Sequence, residues 1–252
     1  MIVPTYNEAH RIGATLEVLC RYLAEHHAVW SIVVSDDASA DDTRAVVTSW
    51  TSREPRIRLL EAPCHQGKGA AVRRGMLAAE ADLVCFCDAD LSTDLEALGR
   101  LVEVLRAGAD VVIGSRTNAS STIAVRQHPG RELMGKIFNA IVRALFHLPY
   151  RDTQCGFKGC RREAARAMFS RARLDGFAFD VELLILAQRL DLCVREIPVS
   201  WNNAWPSRVR VIAHPLQMLG ELLNLRRRME RTGYSVTGVE PSEPVGAPVE
   251  RS

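Results

Sequence analysis

The most constraining feature of this chain is a repeated alternation of short apolar runs with helical patterns through its first half. Trp30–Val34, Ile57–Leu60, Leu83–Cys87 and Val111–Ile113 read as strands. Ala9–His27, Asp41–Ser52, Gly69–Ala79 and Asp94–Ala107 read as helices lying among them. Short strands separated by helices imply βαβ units and a parallel sheet. The expected class is α/β, a mostly parallel central sheet flanked by helices. In open sheets of this kind ligands bind beyond the carboxyl ends of the strands. Acidic residues stand at two of those ends, Ser35-Asp36-Asp37 and Asp88-Ala89-Asp90, and Gly114-Ser115-Arg116 follows another.

The second half is less regular. Glu132–His147 carries an apolar stripe at Leu133, Ile137, Ile141 and Leu145 and reads as a helix. Arg161–Phe169 and Asp180–Leu190 read as further helices, and Cys193–Val199 alternates like a strand. Pro215–Arg228 is an amphipathic helical pattern with a basic end, Arg226-Arg227-Arg228. The last twenty residues hold Gly, Pro, Ser and Glu with little periodicity and are expected to be disordered. With 252 residues, one large domain is the expectation. Its boundaries are expected at 1–212, with 213–230 an amphipathic, membrane-surface helix and 231–252 a tail.

Composition excludes several classes. A net charge of +2 gives no reason to expect nucleic acid as a partner. Seven scattered cysteines do not make a disulfide framework, and most read as small buried apolar residues in a reducing compartment. No uncharged apolar run reaches the roughly 18 residues of a membrane span. Met1 leads directly into Ile-Val-Pro, so no signal peptide is expected.

The chemistry-bearing pieces sit at the strand ends. Asp88 and Asp90 lie two apart on a turn and can reach one divalent cation. Hard cations take oxygen ligands and commonly keep phosphate oxygens and water in the remaining positions. Pro4-Thr5-Tyr6-Asn7-Glu8 makes a turn after the first strand, with Tyr6 offering a stacking face and Glu8 an acceptor. Ser39 or Asp41 can cap the next helix, which leaves Asp36 and Asp37 without a structural task. His65-Gln66-Gly67-Lys68-Gly69 is not a P-loop, yet Lys68 at a helix start could meet phosphate. The absence of Gly-x-Gly-x-x-Gly after the first strand disfavours a dinucleotide oxidoreductase.

In this order the pieces resemble GT-A glycosyltransferases of family 2, and among them polyprenyl- or dolichyl-phosphate glucosyltransferases and dolichol-phosphate mannose synthases. The matching text is Val3–Glu8, Asp36–Ser39, Gly67–Arg73, Asp88–Thr93, Gly114–Arg116, Asp152–Lys158 and Phe177–Leu184. At Ala38 that family usually has Gly. The resemblance covers roughly Ile2–Arg228 and implies a GT-A, Rossmann-like fold for nucleotide-diphospho-sugar transfer. It implies that Pro4, Tyr6 and Glu8 line a nucleoside pocket and that Asp37 binds the base. Asp88, Ala89 and Asp90 would meet the diphosphate, with Asp88 and Asp90 holding Mg²⁺ or Mn²⁺. Lys68 would sit near the nucleotide and Lys158 near the phosphates or sugar. Arg116, Arg131 and Arg208 would receive an acceptor phosphate.

The implied reaction is inverting, metal-dependent transfer of a hexose, glucose from UDP-glucose, to a polyprenyl phosphate. It would take place at the cytoplasmic face of a membrane, with peripheral contact and a possible partner membrane protein. GDP-mannose is an alternative donor. A hydroxyl acceptor would need a general base, for which Asp180 and Asp152 are the candidates. A nucleotide-sugar binder without turnover is the non-enzyme alternative. The opening strand, begun at Ile2, reads as short beside the usual ~5–6 residues: either Met1 is a mis-called start or the protein tolerates a shortened strand, and a genuine shortening would weaken folding or the adjacent pocket.

Overall fold

The structure, a computed structural model, describes residues 1–117, 129–201 and 213–232. The first half follows the alternation: β1 (Ile2–Thr5), α1 (Ala9–His26), β2 (Ile32–Asp36), α2 (Thr43–Thr51) and β3 (Ile57–Glu61). It continues with α3 (Lys68–Ala78), β4 (Leu83–Phe86), α4 (Glu96–Arg106) and β5 (Val111–Ser115). The second half adds α5 (Pro129–Phe146), β6 (Lys158–Arg161), α6 (Arg162–Phe169), α7 (Phe179–Arg189), β7 (Val194–Pro198) and α8 (Ala213–Thr232). The expected tail at 231–252 lies outside the described residues beyond the last turn of α8.

The seven strands form one sheet in the order β3-β2-β1-β4-β6-β5-β7. β1, β2, β3 and β4 run parallel, as do β5 and β7. β6 runs antiparallel to both neighbours, β4 and β5. The sequence pattern predicts no strand here and puts Arg161 in a helix, whereas Arg161 ends β6. Lys158-Gly159-Cys160-Arg161 has neither alternation nor β-branched residues, so no local signal marks it.

Side chains alternate across the sheet and divide the core in two. Ile2 points into a cluster with Met76, Phe138, Phe169 and Phe179. Val3 points the other way, among Leu16, Leu19, Val47 and Leu101. Helices α1, α2 and α4 cover that second face, and α3, α5, α6, α7 and α8 contribute to the first. Helix α7 is buried at every residue from Phe179 to Ala187, so it lacks an amphipathic stripe. In α8, Met218, Leu222 and Leu225 enter the first cluster while Leu223 is exposed.

β1 is four residues long and entirely buried. It pairs with β2 along its whole length but with β4 only at Ile2 opposite Phe86. Pro4, which has no N–H to donate, is tolerated because β4 has already parted from β1 at that level. The order of the strands also reverses between β1 and β4, so the sheet opens a crevice at their carboxyl ends.

Ala38 occupies the left-handed region, at φ 59°. A Cβ there costs about 1–2 kcal/mol, and glycine adopts the conformation freely. Ala38→Gly is expected to stabilise the fold by about 1 kcal/mol and raise the melting temperature by roughly 2–4 °C, read by calorimetry.

Candidate functional site

Four segments surround the crevice: the loops after β1, β2 and β4 and the approach to α3. Each contains a residue with positive φ: Asn7 at 54°, Ala38 at 59°, Leu91 at 46° and Gly67 at 121°. Strained backbone of this kind persists only where the surroundings determine it, and it gathers at binding sites. Asn7 uses its conformation to bridge loops, its Oδ1 accepting Ala40 N at 2.7 Å and Asp41 N at 3.3 Å. Gly67 is required sterically, since a Cβ would lie 2.5 Å from the Asp175 carbonyl oxygen.

That carbonyl changes one expectation. The amides of Gly69 and Ala70, at the start of α3, donate to Asp175 O at 2.7 and 3.2 Å. The helix start is thereby capped by protein and is not an open phosphate site. Lys68 instead turns toward Asp88, Nζ to Oδ1 2.5 Å. Burial alone would lower the Lys68 pKa, but the carboxylates of Asp88 and Asp180 outweigh it and raise it.

The two aspartates after β2 also have structural tasks, contrary to the expectation from capping. Asp36 is fully buried. It accepts Ser39 N at 2.9 Å, Ser39 Oγ at 2.5 Å and Thr5 Oγ1 at 3.2 Å, fastening the β2 turn to β1. Asp37 accepts Gln66 N at 3.1 Å and Gly67 N at 2.7 Å, so it orders the approach to α3. His65 Nδ1 lies 2.8 Å from Asp37 Oδ2, and the His65 ring stacks on Tyr6 with centroids 4.0 Å apart. Pro4 is buried within β1. Glu8 pairs with Arg11 Nε at 2.7 Å at the start of α1.

Asp88 and Asp90 flank the turn after β4. The Ala89 carbonyl is taken by Thr15 Oγ1 at 2.6 Å, which ties the turn to α1. Asp90 Oδ1 accepts Ser92 N at 3.0 Å. Gly156 makes room for Asp88, since a Cβ there would collide with the Asp88 carboxylate. Among the described residues no three His, Cys, Asp or Glu side chains converge as a metal cluster. The donor set still fits a hard cation that takes its remaining ligands from a diphosphate and water.

Beneath Asp88 lies a buried pair. Lys158 Nζ sits 2.5 Å from Asp180 Oδ1 and donates to Cys155 O at 2.5 Å. Both side chains are almost inaccessible, at 4% and 7%. Burial pushes the Asp180 carboxyl above its ordinary range, against the pull of Lys158 and Lys68. On the β5 side, Asp152 is gripped by Arg116, Oδ2 to Nε 2.7 Å and Oδ1 to Nη2 2.9 Å, with Arg116 N adding a third bond at 3.0 Å. Burial would raise the Asp152 pKa, but Arg116 wins and holds it at about 2. The Arg116 guanidinium also lies over the Trp201 ring, 4.9 Å from its centroid.

Tyr6, Asp37, Lys68, Asp88, Ala89 and Asp90 are thus brought to one crevice, with Lys158 and Asp180 below it. Arg116 stands further along the sheet edge. Arg131 lies in the first turn of α5, but its side chain is outside the described residues, and so is Arg208 altogether. His65 and Gly156 were missed as site residues. Gly156 lies within the Asp152–Lys158 motif and His65 just before Gly67, but only tertiary contact shows what they touch.

The sequence profile of the family described as "Glycosyl transferase family 2" matches residues 1–169. The chain belongs to glycosyl transferase family 2. A dolichyl-phosphate beta-glucosyltransferase of Trichomonas vaginalis is 34% identical over 220 residues, covering 83% of this chain and 65% of that protein. One of Dictyostelium discoideum is 32% identical over 240 residues, covering 90% and 73%. The chain therefore spans about two thirds to three quarters of these relatives' lengths. Among solved structures, glucosyl-3-phosphoglycerate synthase of Mycobacterium tuberculosis in complex with UDP superposes with TM-score 0.66 at 21% identity, over 88% of this chain and 78% of that one. The fold of this family 2 domain is GT-A.

Two predictions follow from the charge pairs of the family 2 domain. Lys158→Met leaves Asp180 buried without its partner and should cost about 3–5 kcal/mol in denaturant unfolding. Adding Asp180→Leu should recover at least half of that loss, because both charges are then gone. For Asp152, the folded pKa of about 2 lies below the unfolded value near 3.9, so its contribution is complete above about pH 4 and lost as pH falls toward 2. The stability difference between wild type and Asp152→Asn should be about 2 kcal/mol at pH 7 and shrink across that window, read by urea titration at several pH values.

Proposed function

We propose that this family 2 domain transfers a hexose, glucose from UDP-glucose, to a polyprenyl phosphate with inversion at the anomeric carbon. One observation carries the choice of acceptor. Both candidate bases are committed to cations, Asp152 to Arg116 and Asp180 to Lys158. A hydroxyl nucleophile needs a base to take its proton. A phosphate is already anionic near neutral pH and needs positioning instead. The names of the similar dolichyl-phosphate beta-glucosyltransferases support the same reading.

In this proposal the uracil lies against Tyr6 and meets Asp37, and the diphosphate lies between Lys68 and the Asp88–Asp90 turn. Those two aspartates would hold Mg²⁺ or Mn²⁺. The cation would supply charge neutralisation for the departing diphosphate. The structurally similar mycobacterial synthase was crystallised with Mn²⁺ and UDP-glucose, which supports this donor and metal class. Lys68 moves from Asp88 to a phosphate oxygen as the donor arrives. Arg116, Arg131 and Arg208 would present the acceptor phosphate to the opposite face of the sugar. Peripheral contact with the cytoplasmic face of a membrane completes the proposal, with the basic end of α8 toward the headgroups. No helix among the described residues is long and apolar enough to cross a membrane.

The test is radiolabelled transfer with UDP-glucose or GDP-mannose, with and without polyprenyl phosphate and metal. Label in the organic phase only with UDP-glucose, lipid phosphate and metal together is the expected result. Label from GDP-mannose alone reassigns the donor, and none from either donor overturns the acceptor. Asp90→Ala should lower transfer on the order of 10³-fold and abolish metal-dependent UDP binding. Arg131→Ala should lose transfer to lipid while sparing UDP binding, as read by calorimetric titration.

A further inference from the structure

The reading of Tyr6 and Asp37 as the base pocket makes the position of His65 informative. Its ring lies flat on Tyr6, with centroids 4.0 Å apart and planes 24° from parallel. Its Nδ1 lies 2.8 Å from Asp37 Oδ2. A carboxylate only accepts, so the imidazole N–H donates. A planar ring stacked on Tyr6 with one edge N–H given to Asp37 is the pair of contacts a pyrimidine imide would make there. Asp37 keeps its place through the amides of Gln66 and Gly67, and its side chain is only 2% exposed with His65 present. His65 itself is 52% exposed, on a loop whose residues Pro63 to Gln66 are all exposed, so its ring can leave without disturbing the core.

We propose that His65 is a built-in plug of the nucleobase pocket, occupying the Tyr6 face and the Asp37 acceptor until a uracil-type base displaces it. This rests on the proposed donor reading and adds a residue that sets donor affinity. The plug holds the pocket in its bound shape, and each donor molecule binds at the expense of one stack and one charge-assisted hydrogen bond.

The experiment is calorimetric titration of the full chain with UDP and, separately, with inorganic pyrophosphate, both with Mn²⁺. His65→Ala is expected to bind UDP about three- to tenfold tighter, the range that one lost stacking contact corresponds to. Its pyrophosphate affinity should be unchanged, because that probe has no base. His65→Asn keeps an N–H donor for Asp37 without an aromatic ring and should fall between wild type and His65→Ala. Weaker UDP binding by His65→Ala would make His65 a wall of the pocket and overturn the plug. Unchanged UDP binding by His65→Ala would overturn it as well. An equal change for UDP and pyrophosphate would mean a general effect on the site and would also overturn it. Tyr6→Ala separates the two readings: if it leaves UDP affinity unchanged, the base pocket itself is misplaced, whereas a loss of affinity in Tyr6→Ala with no gain in His65→Ala sinks the plug alone.

Discussion

The buried contact between Lys158 and Asp180 is the interaction on which the rest of this architecture leans. Lys158 begins β6, which among the described strands alone runs against both of its neighbours, and Asp180 opens α7, a helix buried along nearly its whole length. A lysine and an aspartate this inaccessible remain charged only as a pair with further hydrogen bonds, and Cys155 O supplies one. The pair joins the middle of the sheet to the helix layer beneath the crevice. It also places a carboxylate where it raises the affinity of Lys68 for its proton. The charge above, Lys68 against Asp88, is therefore supported by the charge below.

From that foundation the crevice follows by geometry. β1 and β4 part after a single paired position, and the turns that leave them carry the strained residues Asn7 and Leu91. Asp36 and Asp37 convert the β2 turn into a rigid shelf by accepting backbone and hydroxyl donors from three segments. The wall toward β5 is closed by the two-pronged grip of Arg116 on Asp152. Each of these carboxylates looked available in one dimension and is employed in three. What the crevice offers is the Tyr6 ring under His65, the Asp88–Asp90 turn and the Lys68 ammonium paired to Asp88, an arrangement suited to a base, a diphosphate and its counter-ion.

Five of the seven motif blocks lie at strand ends or in the loops beside them, where functional side chains are commonly placed, and the blocks at Gly67–Arg73 and Phe177–Leu184 run into α3 and α7. The expected helices in the described residues were present because their apolar spacing is local information. β6 was not readable, since Lys158 and Gly159 are poor strand formers and become a strand only because β4 and β5 both present edges to it. Pairing of that kind is a long-range contact that no local window contains. The cap on α3 was hidden for the same reason: Asp175 is over a hundred residues away from Gly69 in the chain and 2.7 Å away through its carbonyl.

By itself, then, the sequence determined the α/β class, because periodicity is written in neighbouring residues, and its motif blocks carried the resemblance to the family. Only the tertiary structure decided how those groups are spent. It assigned Asp152 to Arg116, Asp180 to Lys158, Asp37 to a loop and His65 to the face of Tyr6. The physical reason is that a carboxylate's role depends on which donors surround it, and those donors arrive from segments that meet only when the chain has folded.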